Sequence, residues 1–161
     1  VNYYNETRKH YRVMPFLLKE YYNRWYLVVV LPESKEYRTM GLDRIEDLQI
    51  ESETFTYRPR KSPKDLFKDI VGLMYSEGKV ENVLLAADKY HAKYIESLPL
   101  HRSQRKVKEE GGKVYFRYRL IPNYEFRQKV LAMDSRATVI EPKSLADEFK
   151  KTIKEMLNNY N

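Results

Sequence analysis

The sequence contains no cysteine. Disulfides, thiolate-ligated zinc and thiol nucleophiles are therefore excluded, and a reducing, cytoplasmic setting is expected. Glycine is scarce, with 5 residues in 161, and none falls in a Gly-rich phosphate loop or a nucleophile elbow. The three histidines, His10, His91 and His101, share no metal-ligand spacing, so no metal site is expected. No carboxylate pair stands in an apolar setting that would separate an acid from a base. The longest apolar run, Trp25 to Leu31, is seven residues, far short of the roughly 20 needed to cross a bilayer. An enzyme, a cofactor and a membrane partner are all unexpected.

The composition that remains can build packed cores. Apolar residues make up 42% and aromatics 14%, with 15 tyrosines among them, enough for one domain or two small ones. The net charge of +7 favours an anionic partner. Residues 1–61 carry 11 basic and 9 acidic side chains and the remainder 19 and 14, so a partner has to be sought in local clusters.

Arg24-Trp25-Tyr26-Leu27-Val28-Val29-Val30-Leu31 is aromatic and then β-branched, is closed by Pro32, and is apolar on both faces after Arg24. It is expected to be a strand covered on both sides, as in a small closed barrel, with Trp25 buried. Strands are also expected at Val1–Tyr4, through Pro15 (at an edge or bulge), from Glu36 to Leu42, and from Ile45 to Ile50 as the closing strand. The first residue is Val and lies within an expected strand, so the sequence reads as a piece of a longer protein. Ser52 to Arg60 lacks core alternation and reads as linker. Ser62, Pro63 and Asp65 then make a helix start, with Leu66, Phe67, Ile70 and Val71 as its buried stripe and Gly72 as its end. A domain boundary is placed near residue 61, giving domains 1–61 and 62–161.

The second half follows a different pattern. Val80 to Ala87 is expected as a strand, and Tyr90, Tyr94, Ile95 and Leu98 repeat at helical spacing until Pro99. Gln104 to Lys108 leads through Gly111-Gly112 into an alternating strand with Val114, Phe116, Tyr118 and Leu120. Asn123 caps a helix with Phe126, Val130 and Leu131 inward. Ala137 to Ile140 is the last strand, and a capping box of Ser144 and Asp147 opens a helix striped by Leu145, Phe149, Ile153 and Leu157. The order β-α-β-β-α-β with a terminal helix predicts a ferredoxin-like unit, and the fold class is α+β.

Arg12-Val13-Met14-Pro15-Phe16-Leu17-Leu18, then the Trp25-Tyr26-Leu27 triplet, then Glu36 to Ile45 with Leu42-Asp43-Arg44-Ile45, closely resemble the WYL domain over residues 3–50. The resemblance implies an Sm-like or SH3-like small β-barrel, usually preceded by a winged helix-turn-helix domain and followed by an extension called WCX. It also implies ligand sensing, with single-stranded DNA or nucleotides favoured. The second half resembles WCX, including Pro99-Leu100-His101-Arg102-Ser103-Gln104, which implies homodimerisation and transmission of ligand state.

The binding candidates are Arg24, Arg38 and Arg44, interleaved with Tyr4, Tyr11, Trp25, Tyr26 and Tyr37. Guanidinium forks suit phosphates and aromatic faces stack bases. In the family pattern the triplet is mainly structural, while the flanking arginines and tyrosines line the ligand surface. A closed sheet would bring the three arginines together; the competing reading pairs each with Asp43, Glu46 or Asp47 on a solvated face. Secondary candidates are His101, Ser103 and Gln104 in a basic segment, and Arg117 and Arg119 beside Tyr115 on an outward strand face, which is more often merely solvated. The expected partner is nucleic acid or a nucleotide effector. A ligand-free dimerisation scaffold and an accessory regulator of a nucleic-acid enzyme are the alternatives.

Overall fold

A computed structural model describes residues 8–75 and 78–160. The protein is α+β: the described residues form two antiparallel sheets and four α-helices. The chain divides into two compact units, Val1–Lys68 and Asp69–Asn161.

In the first unit β1 (Met14–Tyr21), β2 (Arg24–Val30) and β3 (Tyr37–Gly41) lie in that order, with β2 central. The β1–β2 turn has only Tyr22 and Asn23 at its centre, with φ of 50° and 58°. Two positive φ values are the backbone of a type I′ hairpin turn, which matches the strand twist and fixes the register with Tyr21 opposite Arg24. Pro15 sits on β1, an edge strand of the described sheet, next to a bulge at Phe16 that absorbs its missing N–H. Val28, Val29 and Val30 are fully buried, with Met14, Leu31 and Met40 also in the core.

The expected closed barrel is not seen among the described residues, where the sheet is open and three-stranded. The closing strand from Ile45 to Ile50 does not form. Asp47 takes φ 53°, which breaks an extended run, and Ile50 is 94% exposed. The expected strand Val1–Tyr4 lies outside the described residues. Trp25 is 53% exposed rather than buried; only the second half of β2 is covered on both faces. The segment expected as linker has no regular structure, yet it is anchored. Phe55 packs on Phe16 at 5.3 Å between ring centroids, Arg12 pairs with Glu51 and Glu53, and Tyr37 donates to Lys61 O at 2.6 Å. Helix α1 (Pro63–Leu66) is a single turn capped by Ser62, whose Oγ accepts from Asp65 N–H. It stops well before Val71.

The second unit runs β4 (Glu81–Asp88), α2 (Lys89–Ser97), β5 (Arg105–Glu110), β6 (Lys113–Leu120), α3 (Tyr124–Leu131), β7 (Ala137–Glu141) and α4 (Lys143–Asn158), with sheet order β5-β6-β4-β7. The β6 alternation is as the sequence predicts: Val114, Phe116, Tyr118 and Leu120 enter a core with Val83, Leu85, Ile95, Phe126 and Val130. Gly111 and Gly112, at φ 57° and 76°, make the β5–β6 turn. Asp88 caps α2 by accepting from His91 N–H, and Asn123 caps α3 by accepting from Phe126 N–H.

Residues 69–74 form a strap over the start of α3. Ile121 N–H donates to Asp69 O, and Asn123 Nδ2 donates to Val71 O and Met74 O. The buried Glu125 carboxylate accepts from Leu73 N–H and Met74 N–H at 2.7–3.0 Å. Gly72, at φ 78°, sits where a β-carbon would land on that carboxylate. These bonds engage the backbone that a longer α1 would have needed.

Two further helices differ from expectation. On α2 the inward residues are Ala92 and Ile95, while Tyr90, Tyr94 and Leu98 are exposed and the two tyrosine hydroxyls meet at 3.0 Å. Helix α4 starts at Lys143 after Pro142, so Ser144 is already inside it and the expected capping box is absent. Leu145 and Phe149 are buried, but Ile153, Met156 and Leu157 are exposed, so only the first half of the stripe is covered.

Candidate functional site

The register of the first sheet decides which candidates can act together. Residues directly opposite on neighbouring strands share a face. Tyr26 is opposite Lys19 and Gly41, and Arg24 is opposite Tyr21. Lys19, Tyr21, Arg24 and Tyr26 therefore occupy one face at one end of the sheet. Arg38 is opposite Val29 and lies on the other face, five residues along from Arg24, or about 17 Å. The three arginines are not gathered on one surface.

Arg24 and Arg44 do share a corner. Leu42–Arg44 is a turn of 3-10 helix that follows β3 directly. It returns Asp43 to the Arg24 guanidinium, with Nη1 3.3 Å from Oδ2. A β-carbon on the buried Gly41 would lie 2.6 Å from Asp43 Oδ1 and 3.6 Å from Arg44 Nε, so the absence of a side chain there lets both approach the strand end. Both partners of the Arg24–Asp43 pair are about half exposed, which makes it a weak positional tie. Tyr26, Lys19, Tyr21 and Arg44 are half-buried, and Lys19 Nζ lies 4.9 Å from the Phe67 ring centroid. Sequence reasoning missed Lys19 and Tyr21; the two-residue turn that places them opposite Tyr26 and Arg24 was the available signal.

The remaining candidates have other surroundings. Arg38 donates to the Tyr11 hydroxyl at 3.2 Å and lies over its ring at 5.5 Å. Tyr37 shares the Arg24 face but stands at the other end of β3, with its hydroxyl committed to Lys61 O. Tyr4 lies outside the described residues.

In the second unit the His101–Gln104 segment is a tie between α2, β5 and β6. Gln104 Oε1 accepts from Leu100 N–H and from the Tyr118 hydroxyl, both at 3.0 Å, while its Nε2 donates to Ile95 O at 2.7 Å. Ser103 Oγ accepts from Arg119 N–H at 2.9 Å and contacts Arg119 O at 3.0 Å. The buried His101 places Nδ1 2.7 Å from the same oxygen. Burial pushes the Tyr118 phenol above its ordinary range. These contacts hold the loop and leave Ser103 and Gln104 little capacity for a ligand. Arg117 and Arg119 lie on the outer face of β6, away from the core; Arg117 Nη1 reaches Glu141 Oε2 at 2.8 Å.

Two domain families match this chain: the WYL domain over residues 1–50 and the WCX domain over residues 79–157. The chain is a WYL domain-containing protein. A comparison with curated proteins gives no match. WYL and WCX are regulatory rather than catalytic families, which is consistent with a regulatory module of a transcriptional regulator. The Trp-Tyr-Leu triplet of this WYL domain lies on β2, where Leu27 leads into the buried valines and Trp25 is exposed beside Arg24. Among the described residues no helix is long and apolar enough to cross a membrane.

Proposed function

We propose that the chain is the ligand-sensing module of a bacterial transcriptional regulator, that its WYL unit binds single-stranded DNA or a nucleotide, and that ligand state controls a DNA-binding domain upstream. In this reading the three-stranded sheet is the described part of an Sm-like barrel. The second unit is ferredoxin-like, as its chain order and its strand order β5-β6-β4-β7 support, and it makes the homodimer of a cytoplasmic protein.

The observation that carries the reading is the corner where β2 and β3 end. Arg24, paired with Asp43, and Arg44, beside Gly41, come to the same strand end, with Lys19, Tyr21 and Tyr26 on the adjoining face. Forked donors take phosphate oxygens, and tyrosine faces stack bases without demanding one sequence. Asp43 orients Arg24 in the absence of ligand and is only weakly held, so phosphate can displace it.

Titration of a fluorescein-labelled single-stranded oligodeoxynucleotide at several salt concentrations tests this. Arg24→Ala and Arg44→Ala should each weaken binding and flatten the log–log salt dependence by about 0.7, the counterion equivalent of one phosphate contact. Arg24→Lys should restore the charge but only part of the affinity. Arg38→Ala, on the opposite face, should change little. Unchanged affinity and slope in the first two variants would remove the reading. The competing scaffold role draws on the exposed apolar end of α4, and it gains if the protein dimerises yet binds no oligonucleotide.

A further inference from the structure

The outer face of the second sheet has the makings of a separate binding surface. Because Val114, Phe116, Tyr118 and Leu120 face the helices, alternation puts Lys113, Tyr115, Arg117 and Arg119 on the opposite face. On β5, Arg105 lies opposite Arg117 and Lys108 opposite Tyr115. The β5 bulge at Val107 is what keeps both cations outward. Lys106 and Glu109 are turned to the helix side, where they meet Glu96 and Lys89 of α2.

The two sides of β5 differ in how their charge is handled. On the helix side every charge has an opposite partner: Lys89–Glu109 at 3.0 Å and Lys106 with Glu96 and Glu109 at 3.4–3.5 Å. On the outer side Lys108 is paired with Glu110 at 2.6 Å, but two guanidiniums, Arg105 and Arg117, stand directly opposite each other, a cross-strand arrangement that destabilises a sheet. Arg117 is offset by Glu141, which reaches it across Leu84 of β4. Among the described residues Arg105, Lys113 and Arg119 form no ion pair. Tyr115, half-buried, lies in the middle of this face with Lys108 Nζ 4.6 Å from its ring centroid.

We infer that this face binds single-stranded nucleic acid, independently of the WYL-unit corner. Tyr115 supplies a flat ring on a rigid central strand for one base, Arg105 and Arg119 supply unpaired forks for the flanking phosphates, and Arg117, oriented by Glu141, supplies a third. A polyanion relieves the Arg105–Arg117 repulsion. An acidic peptide would satisfy the charges but leave the tyrosine unused.

The test uses the full chain carrying Arg24→Ala and Arg44→Ala, so that it does not depend on the first site. A labelled oligothymidylate of about 12 nucleotides should still bind with a salt-dependent affinity. Adding Arg105→Glu and Arg119→Glu should abolish that binding. Tyr115→Ala should weaken it about tenfold, in the range of one lost stacking contact, with circular dichroism and melting unchanged. Ultraviolet cross-linking to the same oligonucleotide bearing 5-iodo-2′-deoxyuridine should label the peptide containing Tyr115. Three outcomes would overturn the inference: no binding in this background, cross-links only elsewhere, or displacement by polyglutamate as effective as by unlabelled oligothymidylate with Tyr115→Ala without effect.

Discussion

Removing the Glu125 carboxylate should unfasten the strap on α3. Glu125 is only 9% exposed, and its carboxylate is the acceptor for two backbone N–H groups on the strap. In Glu125→Ala the Leu73 N–H, in a buried residue, loses its acceptor and water has little access, a cost of about 2 kcal/mol. The Met74 N–H belongs to a residue exposed enough for water to replace the bond, so its loss adds about 1 kcal/mol. The sum, about 3 kcal/mol, should lower the melting temperature of a unit this size by about 15 °C. Glu125→Gln is the informative control. One oxygen, Oε2, accepts from both Leu73 and Met74, so an amide oxygen there keeps both bonds and only its NH₂ opposes a donor; the cost should be about half. Urea unfolding followed by far-ultraviolet circular dichroism gives the energies, and amide hydrogen exchange at Leu73 localises them. A Glu125→Ala cost below about 0.5 kcal/mol, or a Leu73 amide that stays as protected as before, would refute the assignment.

Other expected outcomes follow from the same contacts. Gly72→Ala should destabilise the second unit through both the left-handed backbone and the Glu125 clash, and combining it with Glu125→Ala should cost less than the sum, as a thermal double-mutant cycle would reveal. Gln104→Ala leaves the buried Tyr118 hydroxyl and Leu100 N–H without their acceptor and should cost about 3 kcal/mol in urea unfolding. Trp25→Ala should cost only about 1 kcal/mol or less, because half of the side chain already meets water; a loss of several kcal/mol would mean Trp25 is covered in solution. The Glu109 carboxyl is held below the ordinary glutamate range by hydrogen bonds from Lys89 and then Lys106. With the folded pKa depressed, its stabilisation is present above the unfolded pKa and is lost as the pH falls through the folded value. An NMR titration should find its midpoint below that of a free glutamate, and Lys89→Met should raise it.

Legibility in the sequence followed the range of the interaction. Asn123 and Ser62 were readable as caps and Gly111-Gly112 as a turn, because each acts within a few residues. The β6 alternation was readable because its two faces differ so sharply in polarity. Grouping of the arginines was not, since it depends on strand register: Arg38 and Arg24 look close in a list of strands but fall on opposite faces once Val29 is paired with Arg38. Apolar period alone also misjudged depth. Tyr90 and Tyr94 repeat at helical spacing yet meet edge to face in the open, and the α4 stripe is covered for only its first turns. Ser144 and Asp147 matched a capping box, but Pro142 starts the helix earlier and moves both inside it.

The strap has a mechanical consequence. Chain arriving from Lys68 is first fastened to the second unit by Ile121, Asn123 and Glu125, all at the entrance to α3, not to any strand of the sheet. Tension along the backbone is thus delivered as shear on one cluster of short hydrogen bonds at a helix end, while the ladders of the sheet carry none of it at the outset. Under an applied pull the strap should detach as a discrete early step, lengthening the tether by a few residues while the sheet stays intact. The second unit therefore has a built-in slack, released when the bonds of Ile121, Asn123 and Glu125 to the strap give way together.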